Sequence, residues 1–145
     1  MPDEQRKTWR DGVTVVRASA LDRAMSAPSG NGRATVFDFT GSGGDRTWVG
    51  MATVTPGSKT GTHNHGRHEV AIYVVKGRSQ IRWGEQLEFA VDIGPGDAVY
   101  FAPYVPHQEF NPHAEDTVYL VVRSDNERIV NKLDEQPVDR PETVF

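Results

Sequence analysis

The sequence predicts an all-β fold, a small antiparallel barrel or jelly-roll sandwich. Three observations predict it: about eight short runs rich in β-branched and aromatic residues, clusters of Gly, Pro, Asp and Asn between them, and no helical period linking them. At 145 residues the chain has the length of one domain. It divides into an N-terminal arm (1–32), a barrel body (about 33–125) and a tail (126–145).

The arm opens on a polar stretch and contains one short apolar run, Val13 to Val16. It ends in Ala27-Pro28-Ser29-Gly30-Asn31-Gly32, which is turn chemistry and marks the start of the body. Strands are expected at Ala34 to Phe39, Trp48 to Val54, Val70 to Val75, Ser79 to Trp83, Leu87 to Ile93, Ala98 to Phe101, His107 to Asn111 and Thr117 to Arg123. Breakers such as Gly41-Ser42-Gly43-Gly44, Pro56-Gly57, Lys76-Gly77 and Gly94-Pro95-Gly96-Asp97 separate them. The tail is charged, carries Pro137 and Pro141 and lacks periodicity, so it is expected to wrap over a neighbouring surface or fray.

Composition removes several classes. Hydrophobic residues make up 37% and charged residues 25%, which excludes a disordered chain, collagen and a coiled coil. The net charge of −4 leaves no basic excess to neutralise phosphates, so nucleic acid is not an expected partner. With no cysteine, disulfides, thiolate ligands and a Cys nucleophile drop out, and a metal would rest on His, carboxylate or water. The longest apolar stretch, Val70 to Val75, is far short of a membrane span, and the N-terminus has no apolar signal region. A soluble cytoplasmic protein with no membrane partner is the expectation.

Three of the five histidines lie within six residues: His63, His65 and His68. On a strand, His63 and His65 project to one face, because side chains alternate with period two, and two imidazoles then aim at one point. A loop of solvated histidines is the bland alternative; the buried apolar run that follows favours metal. A zincin-like helix fails, because Gly66 and the β-branched flank oppose helix and the spacing does not fit. Counting back from Gly77, Val74, Ile72 and Val70 share one face, and His68 joins them if the strand is unbroken, with Glu69 on the other. A bulge at Gly66 or Arg67 would exchange the two. His107 follows the Pro-rigidified loop Pro103-Tyr104-Val105-Pro106 and is the fourth ligand candidate. His113, in the turn Asn111-Pro112-His113, reads as a surface residue.

These residues resemble the two motifs of the cupin superfamily, β-barrels with a metal at the barrel mouth. Gly57, His63, His65, Glu69 and Gly77 match the first; Gly96, His107 and Asn111 match the second, where Ala102 and Tyr104 stand in place of the usual Pro and Gly. Together the motifs span residues 57–111. The usual Glu ligand position, seven before the closing Gly, holds Val70, which makes a four-histidine site of His63, His65, His68 and His107 plausible. A short cupin with such a site resembles the zinc-containing cupin polyketide cyclases of the resistomycin cyclase type. That resemblance implies antibiotic-type chemistry: regiospecific closure of a ring in a small-molecule or carrier-protein-bound polyketide. Cupins commonly pair through their sheets and terminal strands, which implies a homodimer.

Four neutral imidazoles leave a divalent ion its full charge, so it can polarise a ketone as a Lewis acid and promote aldol-type closure. Zinc is the expected ion; histidine ligands also suit iron, nickel, copper and cobalt, and manganese stays open. Candidate proton acceptors are Tyr100, Tyr104 and Glu109, each with a packing role as its alternative. Val70, Ile72, Val74, Phe110 or Trp83 could wall a pocket, and Lys59, Arg67 and Arg82 could meet a carrier's phosphate. The competing functions are a metal-dependent dioxygenase, a non-catalytic small-ligand binding cupin and a sugar isomerase.

Overall fold

Alternation along the strands sets the architecture. In β4 (Val70–Lys76), Val70, Ile72 and Val74 are buried while Ala71, Tyr73 and Val75 face out. The computed structural model describes residues 9–17, 32–37, 46–125, 127, 129–134 and 136–145. Within them the strands are β1 (Gly32–Phe37), β2 (Trp48–Val54), β3 (His63–Asn64), β4, β5 (Ser79–Trp83), β6 (Phe89–Ile93), β7 (Ala98–Phe101), β8 (His107–Phe110), β9 (Thr117–Arg123), β10 (Asn131–Lys132) and β11 (Glu142–Thr143). The predicted turn cluster before Gly32, the Gly41–Gly44 stretch and the last two residues of the first predicted strand lie outside the described residues. Val13 to Val16 forms no strand there; Val13 and Val15 are exposed. No helix of the described residues is long and apolar enough to cross a membrane.

The strands form two sheets, in the orders β1-β2-β9-β4-β7 and β10-β3-β8-β5-β6-β11. Val54, Val70, Ile72, Val74, Ile81, Ile93, Phe101 and Tyr119 fill the space between them. Burial of each such aliphatic side chain contributes roughly 1.5–3 kcal/mol. A one-residue slip of β4 would exchange its buried set for Ala71, Tyr73 and Val75, so the register is strongly specified. Among the described residues neither sheet closes on itself, so of the expected barrel or jelly-roll sandwich it is the two-sheet sandwich that forms. The reason lies in the turn Gly94–Asp97: β6 before it pairs with β5, whereas β7 after it pairs with β4. Asp97 stabilises this sheet change, its carboxylate accepting from the Gly94 N–H at 2.8 Å and its backbone bonding Val74.

The tail wraps. β10 pairs antiparallel with β3, and β11 runs parallel to β6. Arg82, a candidate phosphate anchor, instead donates to the carbonyls of Leu87 and Val138 and ties the tail down.

Two motif positions show why their residue types matter. Gly77 has φ +78°, and a Cβ there would run into the Asp116 carbonyl oxygen. Tyr104 occupies the usual Gly position of the second motif with φ +65°, a left-handed conformation that costs an L-residue roughly 1–2 kcal/mol. Asn111 is a knot: its buried amide donates to the carbonyls of Val54 (2.9 Å) and Glu115 (2.6 Å), and its Oδ1 accepts from the His113 N–H (2.9 Å). Asn111→Ala would orphan those groups and is expected to cost about 2–4 kcal/mol in denaturant unfolding; a loss below about 1 kcal/mol would contradict this role.

Candidate metal centre

The pairing of β3 with β8 sets His63 opposite His107. Their ring centroids are 4.3 Å apart, and His65 lies 5.0 Å from His63 and 5.2 Å from His107. One ring nitrogen of each comes within 4.8 Å of the others. His63 and His65 reach the same point, as strand alternation predicts for i and i+2.

Their backbone surroundings orient all three rings alike. His63 Nδ1 bonds the carbonyl of Gly61 at 2.8 Å, His65 Nδ1 that of Ile129 at 3.1 Å, and His107 Nδ1 that of Val105 at 3.0 Å. A carbonyl only accepts, so each Nδ1 must carry the proton, and each ring in its neutral form would present Nε2 as a lone pair. That is the ligand form of imidazole, held by an outer-shell acceptor. His107 Nε2 is buried and makes no hydrogen bond, an orphaned acceptor that a divalent ion would satisfy. Burial, then the neighbouring His107 and His63, pushes His65 down to about 4; burial also lowers His107. Phe101 stacks on His107 at 4.2 Å and excludes solvent from one ring face. The donor set therefore fits a divalent metal.

Glu109 follows His107 by two residues on the same face, its Oε1 4.0 Å from His107 Nε2. Thr60 clamps it: the Thr60 hydroxyl donates to Glu109 Oε2 at 3.0 Å and accepts from the Glu109 N–H at 3.0 Å. Burial alone would raise its pKa, but His107, His63 and the Thr60 hydroxyl together hold the carboxyl below its ordinary value, so it is ionised near neutrality.

The other candidates lie elsewhere. His68 faces inward as the parity argument expects, but it groups with Asp125 and Glu127 rather than with the three histidines. Glu69 is exposed on the outer face of the sheet and hydrogen-bonds Tyr100, whose phenol is raised by desolvation and by that carboxylate. Tyr104 is 63% exposed in its loop, its N–H donating to the Gly66 carbonyl. His113 is exposed. Arg67 pairs with Asp125 and Glu127.

An apolar cavity of about 630 Å³ opens at the seam between β6 and β7, lined by residues including Trp83, Val91, Val99, Phe101, Val105 and Phe145. Trp83 pairs in register with His107, and Phe101 stacks on it, so the cavity adjoins the histidines. Of the predicted wall residues Trp83 lines it, whereas Val70, Ile72 and Val74 are core. Sequence reasoning missed Thr60, Asp125, the three clamping carbonyls and Phe145. The carbonyls are invisible because any residue type supplies one, and Phe145 ends a tail without periodicity; the ST-type contact of Thr60 depends on a strand pairing.

The family profile described as "Cupin domain" matches residues 50–123. No curated protein matches the sequence. Among solved structures, the polyketide cyclase RemF from Streptomyces resistomycificus superposes with a TM-score of 0.69 at 24% identity, covering 86% of this chain and 89% of that one. KdgF from a Halomonas species gives 0.64 at 17% identity, covering 79% and 96%. A cupin-superfamily sugar phosphate isomerase from Silicibacter pomeroyi gives 0.62 at 18%, covering 78% and 76%. At these identities the likeness is one of fold.

The depressed His65 pKa has a consequence for the metal-free chain. Between the ordinary value of 6.5 and about 4, the unfolded chain binds a proton that the folded ring refuses, so stability falls as pH falls through that window. Glu109, lowered from 4.5, adds its loss only at more acid pH. The thermal midpoint is expected to drop from pH 6.5 toward 4, with a shallower slope in His65→Gln; a flat midpoint across this range would contradict the neutral-ring assignment.

Proposed function

Because the chain belongs to the cupin domain family, we propose that it is a metal-dependent polyketide cyclase, closing a ring of an aromatic polyketide precursor by aldol-type condensation. The observation that carries this reading is the set of three Nε2 lone pairs with an ionised carboxylate beside them, one of the three rings stacked on Phe101 of the cavity wall. The fold shared with RemF, a polyketide cyclase by name, supports the same choice.

His63, His65 and His107 would hold the ion, for which we propose zinc. When bound, it would supply Lewis acidity toward a ketone oxygen. Glu109 accepts the proton of the adjacent methylene, and Thr60 holds its carboxylate in place for that transfer. The new carbon–carbon bond forms between that carbon and a second carbonyl carbon. Glu109 returns that proton to the new alkoxide, then removes the second proton of the same carbon as hydroxide leaves and passes it to the hydroxide, so each closure followed by dehydration releases one water. Trp83, Val99, Phe101 and Phe145 line the cavity and offer apolar contact to a poly-β-keto chain. Tyr100 also lines the cavity but hydrogen-bonds Glu69 on the outer face, and Tyr104 stands exposed in its loop, which makes Glu109 the proposed base. A metal-dependent dioxygenase is the second reading, favoured by Glu109 as an oxygen donor beside three imidazoles.

A homodimer belongs to the same proposal. The outer face of the five-stranded sheet exposes Tyr73, Val75, Tyr100 and Val122, and the N-terminal segment exposes Trp9, Val13 and Val15, two apolar surfaces that a second copy would cover. Light scattering is expected to give twice the 16.1 kDa chain mass, and a monomer at micromolar concentration would refute it.

The function is tested by anaerobic incubation of zinc-loaded protein with a poly-β-keto thioester, following the aromatic chromophore. Turnover is expected without oxygen, lost in His107→Ala and reduced about 10²–10⁴-fold in Glu109→Gln. Strict oxygen dependence would install the dioxygenase, and binding without turnover would leave a small-ligand binding cupin.

A further inference from the structure

We propose that His68, Asp125 and Glu127 form a second divalent-cation site, separate from the three-histidine group, which fastens the segment after β9 to the loop carrying His63 and His65. The inference does not rest on the cyclase reading.

The local fold separates the two groups. His68 N–H donates to the His65 carbonyl at 3.2 Å, closing a turn in which Gly66 has φ +58°. The turn sends His65 toward His63 and His107, and His68 toward the start of the tail. Ser124 and Glu69 then exchange hydrogen bonds, Ser124 N–H to the Glu69 carbonyl and Glu69 N–H to the Ser124 hydroxyl, which sets Asp125 against His68.

His68 is 1% exposed, yet neither ring nitrogen makes a hydrogen bond. An orphaned buried polar atom is destabilising and calls for a partner. Nε2 lies 3.1 Å from Asp125 Oδ1, a close approach without the angles of a hydrogen bond. Two donors bound to one ion at about 2.0–2.2 Å stand roughly 3 Å apart at an octahedral right angle and roughly 3.4 Å apart at a tetrahedral angle, so this separation is close to that of ligands on a shared cation. Glu127 completes the group: a ligand atom from each of the three residues lies within 4.8 Å of the others.

The carboxylates are already assembled. Asp125 Oδ1 accepts from the Glu127 N–H at 2.6 Å, and Arg67 pairs with Asp125 Oδ2 at 3.2 Å and with Glu127 Oε2. Asp125 Oδ1 and Glu127 Oε1 stay outside those ion pairs. Arg67 also offsets one of the two negative charges, which weakens the pull on a cation, but its 54% exposure means that water screens the pairs. One imidazole nitrogen with two carboxylates suits Zn²⁺ or Mn²⁺, and the 59% exposure of Glu127 leaves room for water ligands. The site would act structurally. The same segment carries Ile129, whose carbonyl orients His65, and whose side chain would meet a Cβ added at Gly66 at 2.8 Å.

Zinc per chain, measured by inductively coupled plasma mass spectrometry after equilibration and dialysis, tests the proposal. Two zinc ions are expected in the wild type, one in Asp125→Asn/Glu127→Gln, and one in His107→Ala, which removes a ligand of the other group and leaves this site intact. The double variant should match the wild-type melting temperature in chelator but show a smaller rise on adding Zn²⁺. One zinc in the wild type that persists in the double variant overturns the proposal, and its loss in both His68→Ala and His107→Ala would then mark a single four-histidine centre. Two zinc ions that both persist in the double variant overturn it equally.

Discussion

Three backbone carbonyls, those of Gly61, Val105 and Ile129, constrain everything the candidate site can do. Each takes the Nδ1 proton of one histidine, and only then do three Nε2 lone pairs converge. Rotation or tautomer exchange of any ring would turn a proton into the space that a cation needs. The carbonyls belong to three separate pieces of chain: the approach to β3, the loop before β8 and the segment before β10. The fold thus acts on the chemistry through backbone placement, and the side chains that fill the core serve to keep those pieces in register.

Much of the fold was legible because burial imposes a period. Val70, Ile72 and Val74 face in and Glu69 faces out, as counting back from Gly77 predicts. The strands β3, β10 and β11 were not legible, since two residues cannot display a period. Convergence of His63 and His65 followed from alternation, and His107 from the rigid loop before it. The direction of His68 also followed, but not its neighbours: parity gives the face of a sheet, whereas the turn at Gly66 and the arrival of Asp125 decide which group on that face a side chain meets. Closure of the barrel failed for a related reason, because a turn motif does not state whether its two strands share a sheet.

The two departures in the second motif have different physical weight. Ala102 in place of Pro loosens a loop that Pro103 and Pro106 still restrain. Tyr104 in place of Gly holds a left-handed conformation and leaves a large ring exposed. A residue kept at a conformational cost, without burial to offset it, departs from what stability alone would select.

The seam between β6 and β7 bears on how such a protein changes over evolutionary time. No ladder of hydrogen bonds crosses it among the described residues, and Val91, Val99 and Phe145 line it. Substitutions at Val91, Val99 or Phe145 can therefore enlarge, narrow or reshape the chamber without breaking a backbone pairing. Selection on the shape of the chamber therefore acts through side-chain packing, which Val91 and Val99 share with the core, and leaves the hydrogen-bonded ladders unaltered.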